Sequence, residues 1–71
     1  MSKQTDLAMA ERYQTEAERI EEDIRETEAR LPHYSTDSRK SVDWVLGEKR
    51  TAVQALLGVA DWYRERAKRE E

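Results

Sequence analysis

Few residues of this chain are of the types that carry out chemistry, and their spacing gives them little opportunity. His33 is the only histidine and there is no cysteine, so thiolate nucleophiles and zinc–thiolate sites are excluded. A histidine relay or a histidine metal site would need partner residues that the sequence barely supplies. Because His33 follows Pro32 directly, it is most simply a residue of a turn.

Carboxylate pairs are the remaining candidates for catalysis, for example Glu18 with Glu22 and Glu22 with Glu26. Such pairs act as acids and bases when burial in a cleft shifts their pKa values. These pairs lie on the polar side of a highly charged helix, where no cleft is expected. Phosphate-binding glycine loops, zinc-protease motifs and EF-hand spacing do not occur in the sequence. We therefore expect no enzyme activity and no catalytic, cofactor-binding or metal-binding residues.

Residues 42–63 are the most informative segment, because two stripes run along opposite sides of the helix that they predict. The first stripe has the three- and four-residue steps of a helix that faces a core: Val42, Val45, Leu46, Val53, Leu56, Ala60 and Tyr63. The second stripe has an indole at each end and small residues in its middle: Trp44, Glu48, Thr51, Ala55, Gly58 and Trp62. Two helices can cover only one of these stripes, so the second predicts a partner.

The elements that carry these residues are two long helices. The first is predicted at about 5–31, with Thr5 as its N-cap and heptad positions at three- and four-residue steps: Ala10, Tyr13, Ala17, Ile20, Ile24, Thr27 and Leu31. Pro32 ends it, because the proline ring disfavours helical geometry at the preceding residue. A connection at about 32–37 leads to a second helix at about 38–69, with either Ser35 or Ser38 as its N-cap.

A connection of roughly six residues returns the chain antiparallel to itself, so the sequence predicts an all-α, two-helix antiparallel hairpin as one domain over residues 1–71. Folding about this connection places Tyr13 near Leu56. Lys49 interrupts the first stripe, and we expect its ammonium to reach an acidic residue of the first helix: Glu16, Glu21 or Asp23.

The second stripe is palindromic in side-chain size about Val53, and this symmetry predicts self-association. In an antiparallel contact with a second copy, Trp44 would face Trp62, Thr51 would face Ala55, and Glu48 would face Gly58. A self-complementary surface is what a two-fold homodimer requires, and tryptophan is enriched in binding hot spots. We expect a homodimer with a four-helix arrangement that binds a further protein, as an inhibitor, adaptor or regulator. The same stripe could instead serve a different protein, or lie half covered along the edge of the hairpin.

An alternative interpretation concerns residues 55–62, where a small residue, two leucines and Gly58-Val59 precede Trp62. This run resembles the turn of a helix-turn-helix DNA-binding protein, and the resemblance covers residues about 52–69. It implies a transcriptional regulator, with the basic residues of the C-terminal turns in contact with DNA: Arg64, Arg66, Lys68 and Arg69. Arg64 departs from the motif, because it stands where the second helix should present an apolar residue. A helix that is continuous through Gly58 would contradict this alternative.

Composition and charge limit the class of protein and its partners. The chain has 71 residues, of which 41% are charged, and this size makes a single core marginal without association. The net charge is −3, and residues 1–31 carry five basic and nine acidic side chains, so nucleic acid is not an expected partner. The sequence contains no membrane-spanning apolar run and no signal peptide, and together with the lack of cysteine this predicts a cytoplasmic location.

Overall fold

The computed structural model describes residues 2–70, and these residues form two long helices that pack antiparallel. Helix α1 spans Lys3–Arg30 and helix α2 spans Thr36–Arg69. One turn of 3-10 helix, Leu31–His33, lies between them, followed by the extended residues Tyr34 and Ser35. Residues 2–70 contain no strand. The predicted all-α helical hairpin is therefore confirmed.

The connection is shorter than predicted, because the chain stays helical through Pro32. Proline occupies the first turn of the 3-10 helix, where its missing N–H needs no partner. The Tyr34 N–H donates to the Leu31 carbonyl at 3.1 Å, and the Arg39 Nε–H donates to the same oxygen at 3.0 Å. Two residues with extended backbone, Tyr34 and Ser35, are then enough to reverse the chain.

Serine hydroxyls cap both helices. The Ser2 hydroxyl accepts a hydrogen bond from the Thr5 N–H at 3.2 Å, so α1 begins earlier than predicted and Thr5 is not its cap. The Ser35 hydroxyl accepts from the Ser38 N–H at 3.2 Å, which decides between the two candidate caps of α2. In both cases the earlier residue caps the helix, because its hydroxyl satisfies an amide that would otherwise lack a partner.

The core between the helices is a single row of buried side chains, seven residues apart along each helix: Ala10, Ala17 and Ile24 from α1, and Leu46, Val53, Ala60 and Ala67 from α2. Larger aliphatic residues occupy the half near the connection, where Ile20, Leu31, Val42, Leu56 and Leu57 pack against them. Alanines occupy the half near the chain ends. The Lys49 ammonium bonds to Asp23, one of the three predicted partners.

The register of the two helices differs from the predicted one. Tyr13 stacks on Tyr63 with ring centroids 5.9 Å apart, whereas the predicted neighbour of Tyr13, Leu56, lies two turns earlier in α2. The hydrogen bond of 3.1 Å from Arg64 to Gln14 agrees with the stacked pair. Residues 35–41 are all exposed, because the first turns of α2 extend past the end of α1.

We expect Ser35→Ala to lower the free energy of unfolding by about 1 kcal/mol, because it removes the cap of α2. Ser38→Ala is the matched control: the Ser38 hydroxyl only accepts from Ser35, so its loss should cost a few tenths of a kcal/mol at most. Urea denaturation at equal protein concentration measures both. Equal effects of the two substitutions would show that Ser35 is not the functional cap.

Candidate interaction surface

The second stripe lies on the side of α2 that faces away from α1. Each of its residues stands two positions before or after Leu46, Val53 or Ala60, and two residues are about 200° of helix rotation. All six are exposed: Trp44, Glu48, Thr51, Ala55, Gly58 and Trp62. The indoles are the most notable members, since Trp44 is 70% exposed and Trp62 is 53% exposed.

Apolar residues outside the predicted stripe widen this surface. Val45 was predicted to face the core, but it is 41% exposed, because Val42 and Leu46 occupy the inward positions of that turn. Ala52 and Val59 are exposed at the same heptad position as Val45, one and two repeats further along the helix respectively. We call the combined set the α2 outer surface: Trp44, Val45, Glu48, Thr51, Ala52, Ala55, Gly58, Val59 and Trp62.

Gly58 lies in the interior of α2, and neither packing nor backbone conformation within the hairpin requires a glycine there. A Cβ atom at this position would meet no atom within 4 Å, and no glycine among the described residues has a positive φ. A glycine in a helix interior costs roughly 0.5–1 kcal/mol relative to alanine. The close approach of another chain would give this glycine a packing role that the hairpin itself does not.

The continuity of α2 bears on the alternative interpretation. Residues 36–69 form one helix, and Gly58 lies within it as predicted. A helix-turn-helix protein places a turn between its two helices so that the second can enter the major groove. Residues 52–69 contain no such turn.

Contacts within the hairpin engage three of the four basic residues considered for DNA contact: Arg64, Arg66 and Lys68. Arg64 donates to Gln14 at 3.1 Å, and Lys68 pairs with Glu65 at 3.2 Å. Within residues 2–70, Arg69 makes no ion pair. These four side chains lie at different angles around the last turns of α2, so they do not form one surface that could enter a DNA groove.

Arg66 connects the inner and outer sides of α2. Its guanidinium lies 5.2 Å from the centroid of the Trp62 ring, in a cation–π contact. Its Nε atom lies 3.6 Å from the Asp6 carboxylate. Trp62 also makes an edge contact with Tyr63, at 4.9 Å between ring centroids, and Tyr63 stacks on Tyr13. The Trp62 indole is therefore held in place from two sides.

Asp6 is the residue that the sequence analysis missed. It is fully buried between the helices, and neither carboxylate oxygen accepts a hydrogen bond within the described chain. It stands four residues before Ala10 and continues the three- and four-residue steps of the α1 seam. Extending that seam by one position would have placed Asp6 inside.

The groove along the side of the hairpin opposite Val45 and Val59 has a volume of about 350 Å³. Ile24, Val53 and Leu57 line its apolar part, and Arg50 and Glu28 form an ion pair of 3.2 Å at its rim. Arg25 also lines the groove and forms a second pair with Glu22, and its hydrogen bond to Glu22 raises the pKa of the Arg25 guanidinium above its ordinary value. Both rim pairs are exposed to solvent.

Groups that could bind a metal or a substrate are few in the part of the chain that the structure describes. His33 is exposed in the 3-10 turn. No three histidine, cysteine or acidic residues among positions 2–70 converge in a way that could hold a metal ion. Neither α1 nor α2 is long and apolar enough to cross a bilayer.

Comparison with known proteins gives no relative from which a function could be transferred. No family model matches the chain, and neither a curated protein nor a solved structure matches it.

We expect Asp6→Ala to raise the free energy of unfolding by about 1 kcal/mol. The burial of a carboxylate that accepts no hydrogen bond destabilises the fold by more than its single contact with Arg66, at 3.6 Å, stabilises it. After the substitution, water can solvate the Arg66 guanidinium, because this side chain is 35% exposed. Asp23→Ala is the control, because it removes an exposed ion pair and should change stability by less than about 0.5 kcal/mol. Thermal unfolding at constant protein concentration compares them; a loss of stability in Asp6→Ala would contradict the expectation.

Proposed function

We propose that this protein is a small, non-enzymatic homodimer whose contact is the α2 outer surface, and that the dimer binds another protein as an inhibitor, adaptor or regulator. The observation that carries the proposal is the exposure of both indoles at the two ends of one helix face. Tryptophan is one of the residues most enriched in binding hot spots. Between the indoles, Gly58 leaves the helix backbone accessible to a close neighbour.

The surface area of the monomer supports association. One hairpin exposes 5267 Å². A monomeric protein of 8.4 kDa is expected to expose about 4,600 Å². The excess, about 650 Å², is close to the roughly 800 Å² that each partner buries in a standard interface. The elongated shape, 53 × 15 × 12 Å, accounts for the excess, and a second hairpin alongside α2 would cover much of it.

The composition of the core gives a second reason for association. Four of the seven buried apolar residues are alanines, each of which buries little area: Ala10, Ala17, Ala60 and Ala67. A chain of 71 residues with such a core is expected to have a small free energy of unfolding as a monomer. Burial of Trp44 and Trp62 between two copies would add large aromatic side chains to the buried set, which contains none among residues 2–70 of one hairpin.

A non-enzymatic role agrees with the distribution of polar groups. Among residues 2–70, Asp6 is the one buried charged or polar residue, and it faces Arg66 between the helices. Catalytic acids and bases act in sites from which water is partly excluded. The groove beside Leu57 is open along its length and bounded by paired charges, so it offers no such environment.

Sedimentation equilibrium should give twice the chain mass at micromolar concentration. Gly58→Leu should raise the dissociation constant by roughly 5- to 150-fold, because a side chain there overpacks a close contact by about 1–3 kcal/mol. Gly47→Leu is the matched control: its added Cβ also meets no atom within 4 Å, but Gly47 lies outside the α2 outer surface. It should leave association nearly unchanged. A wild-type monomer with full helicity, or equal effects at both glycines, would refute the proposed dimer.

The DNA-binding alternative has less support, because α2 is unbroken and three of its four basic candidates are engaged within the hairpin. Duplex DNA titrated at low salt should show no specific binding. Salt-sensitive binding that Arg69→Gln and Lys68→Gln weaken would favour the alternative instead.

The regulatory part of the proposal needs a protein partner. Affinity capture from native lysate should retain the same protein with wild-type and Gly47→Leu bait, with or without nuclease treatment. Retention that disappears after nuclease treatment would indicate a nucleic-acid partner instead.

A further inference from the structure

We infer that the two copies meet with their α2 helices antiparallel, in a register that places Asp37 of each copy against Arg69 of the other. The inference rests on the proposed dimer and specifies its orientation and the charges that hold its ends. The occupant of the α2 outer surface is thus a second copy of this chain.

The same face of α2 continues beyond both indoles and ends in opposite charges. Asp37 lies seven residues before Trp44, and Arg69 lies seven residues after Trp62, so each is two helical turns further along one face. Both side chains are exposed, and neither makes an ion pair within residues 2–70. Asp37 lies in the first turn of α2 and Arg69 lies in its last turn, so each charge complements the helix dipole at its own end.

An antiparallel arrangement that matches Trp44 with Trp62 determines every other pair along this face. Asp37 then faces Arg69, and the Glu48 side chain faces Gly58, where no Cβ occupies the space. Large groups meet large groups at the ends, a long side chain meets a glycine, and opposite charges meet beyond the indoles.

A parallel arrangement reverses the electrostatics of the same face. Each residue would then face its own copy, so Glu48 would meet Glu48, Asp37 would meet Asp37 and Arg69 would meet Arg69. Like charges opposed across a contact destabilise it. The two helix dipoles would also point in the same direction.

The apolar row beside the stripe shows the same symmetry. Val45, Ala52 and Val59 are spaced by seven residues, with a valine at each end and the alanine in the middle. In the antiparallel register, Val45 lies near Val59 of the second copy, and Ala52 lies near its own counterpart beside the two-fold axis. The two rows therefore have their centres of symmetry at adjacent residues, Val53 and Ala52, about 1.5 Å apart along the helix, and an isologous contact requires such a common centre.

Cysteine cross-linking tests the orientation, and the natural chain contains no cysteine that would interfere. With a short bismaleimide, Ala52→Cys should cross-link to itself in either orientation and reports the presence of the contact. Val45→Cys alone should not cross-link in the antiparallel register, because the two copies of this position lie about 24 Å apart along the helix axis. A mixture of Val45→Cys and Val59→Cys proteins should cross-link. Cross-linking of Val45→Cys alone would overturn the inference in favour of a parallel dimer.

Charge reversal tests the end contacts. Asp37→Arg and Arg69→Asp should each weaken dimerisation roughly tenfold at low salt, because two symmetry-related pairs change from attraction to repulsion. The double variant should recover most of that loss, and the differences should shrink at high salt. Circular dichroism of each variant controls for changed helicity, since both residues also interact with the α2 dipole.

The outcomes separate this inference from the proposed dimer. A dimer in sedimentation whose affinity does not change in the single variants, or does not recover in the double variant, would overturn the inference while the dimer stands. A monomer in sedimentation, with no cross-linking of Ala52→Cys, would overturn both.

Discussion

Each helix of a two-helix hairpin can bury only the side that faces the other helix, and the remaining surface must be compatible with water. Helix α1 satisfies this requirement, because charged residues cover most of the side that faces away from Ala17 and Ile24. Helix α2 does not, because its far side carries two exposed tryptophans. The inner side of α2 forms the core of the hairpin, and its outer side is the surface on which the proposed dimer rests.

The two halves of the hairpin are stabilised by different interactions. Near the connection, aliphatic side chains such as Ile24 and Leu46 supply ordinary hydrophobic burial. Toward the chain ends the core consists of alanines, and the stacking of Tyr13 on Tyr63 and the cation–π contact of Arg66 with Trp62 provide the larger contacts. Because Arg66 touches both Asp6 on the inner side and Trp62 on the outer side, packing between the helices and the geometry of the α2 outer surface are linked at this end.

The elements of the fold could be predicted from the sequence, but the register could not. Three- and four-residue spacing continues past Gly58 without a break, so the continuity of α2 could be predicted from its pattern. A shift of one heptad between the helices leaves every core position in the core, so hydrophobic spacing does not detect it. The contact of Tyr13 with Tyr63 follows from the start of α2 beyond the end of α1, which leaves residues 35–41 exposed and which hydrophobic spacing does not reveal. The prediction that Val45 faces the core was wrong for a related reason. A position at the edge of the seam can be apolar whether it faces the core or another chain.

The same ambiguity of register applies to the proposed contact between two copies, and only residues that differ from their neighbours can resolve it. A shift of one heptad in one direction would set Trp62 against Asp37, and a shift in the other direction would set Glu48 against Glu65. Either shift would also leave each Trp44 without the matching indole. The small residues between the indoles allow a close approach in any register, so they supply affinity without selecting one. Selection has to come from the few positions that differ from their neighbours, which are the two indoles, Gly58 and the charges at the ends of α2.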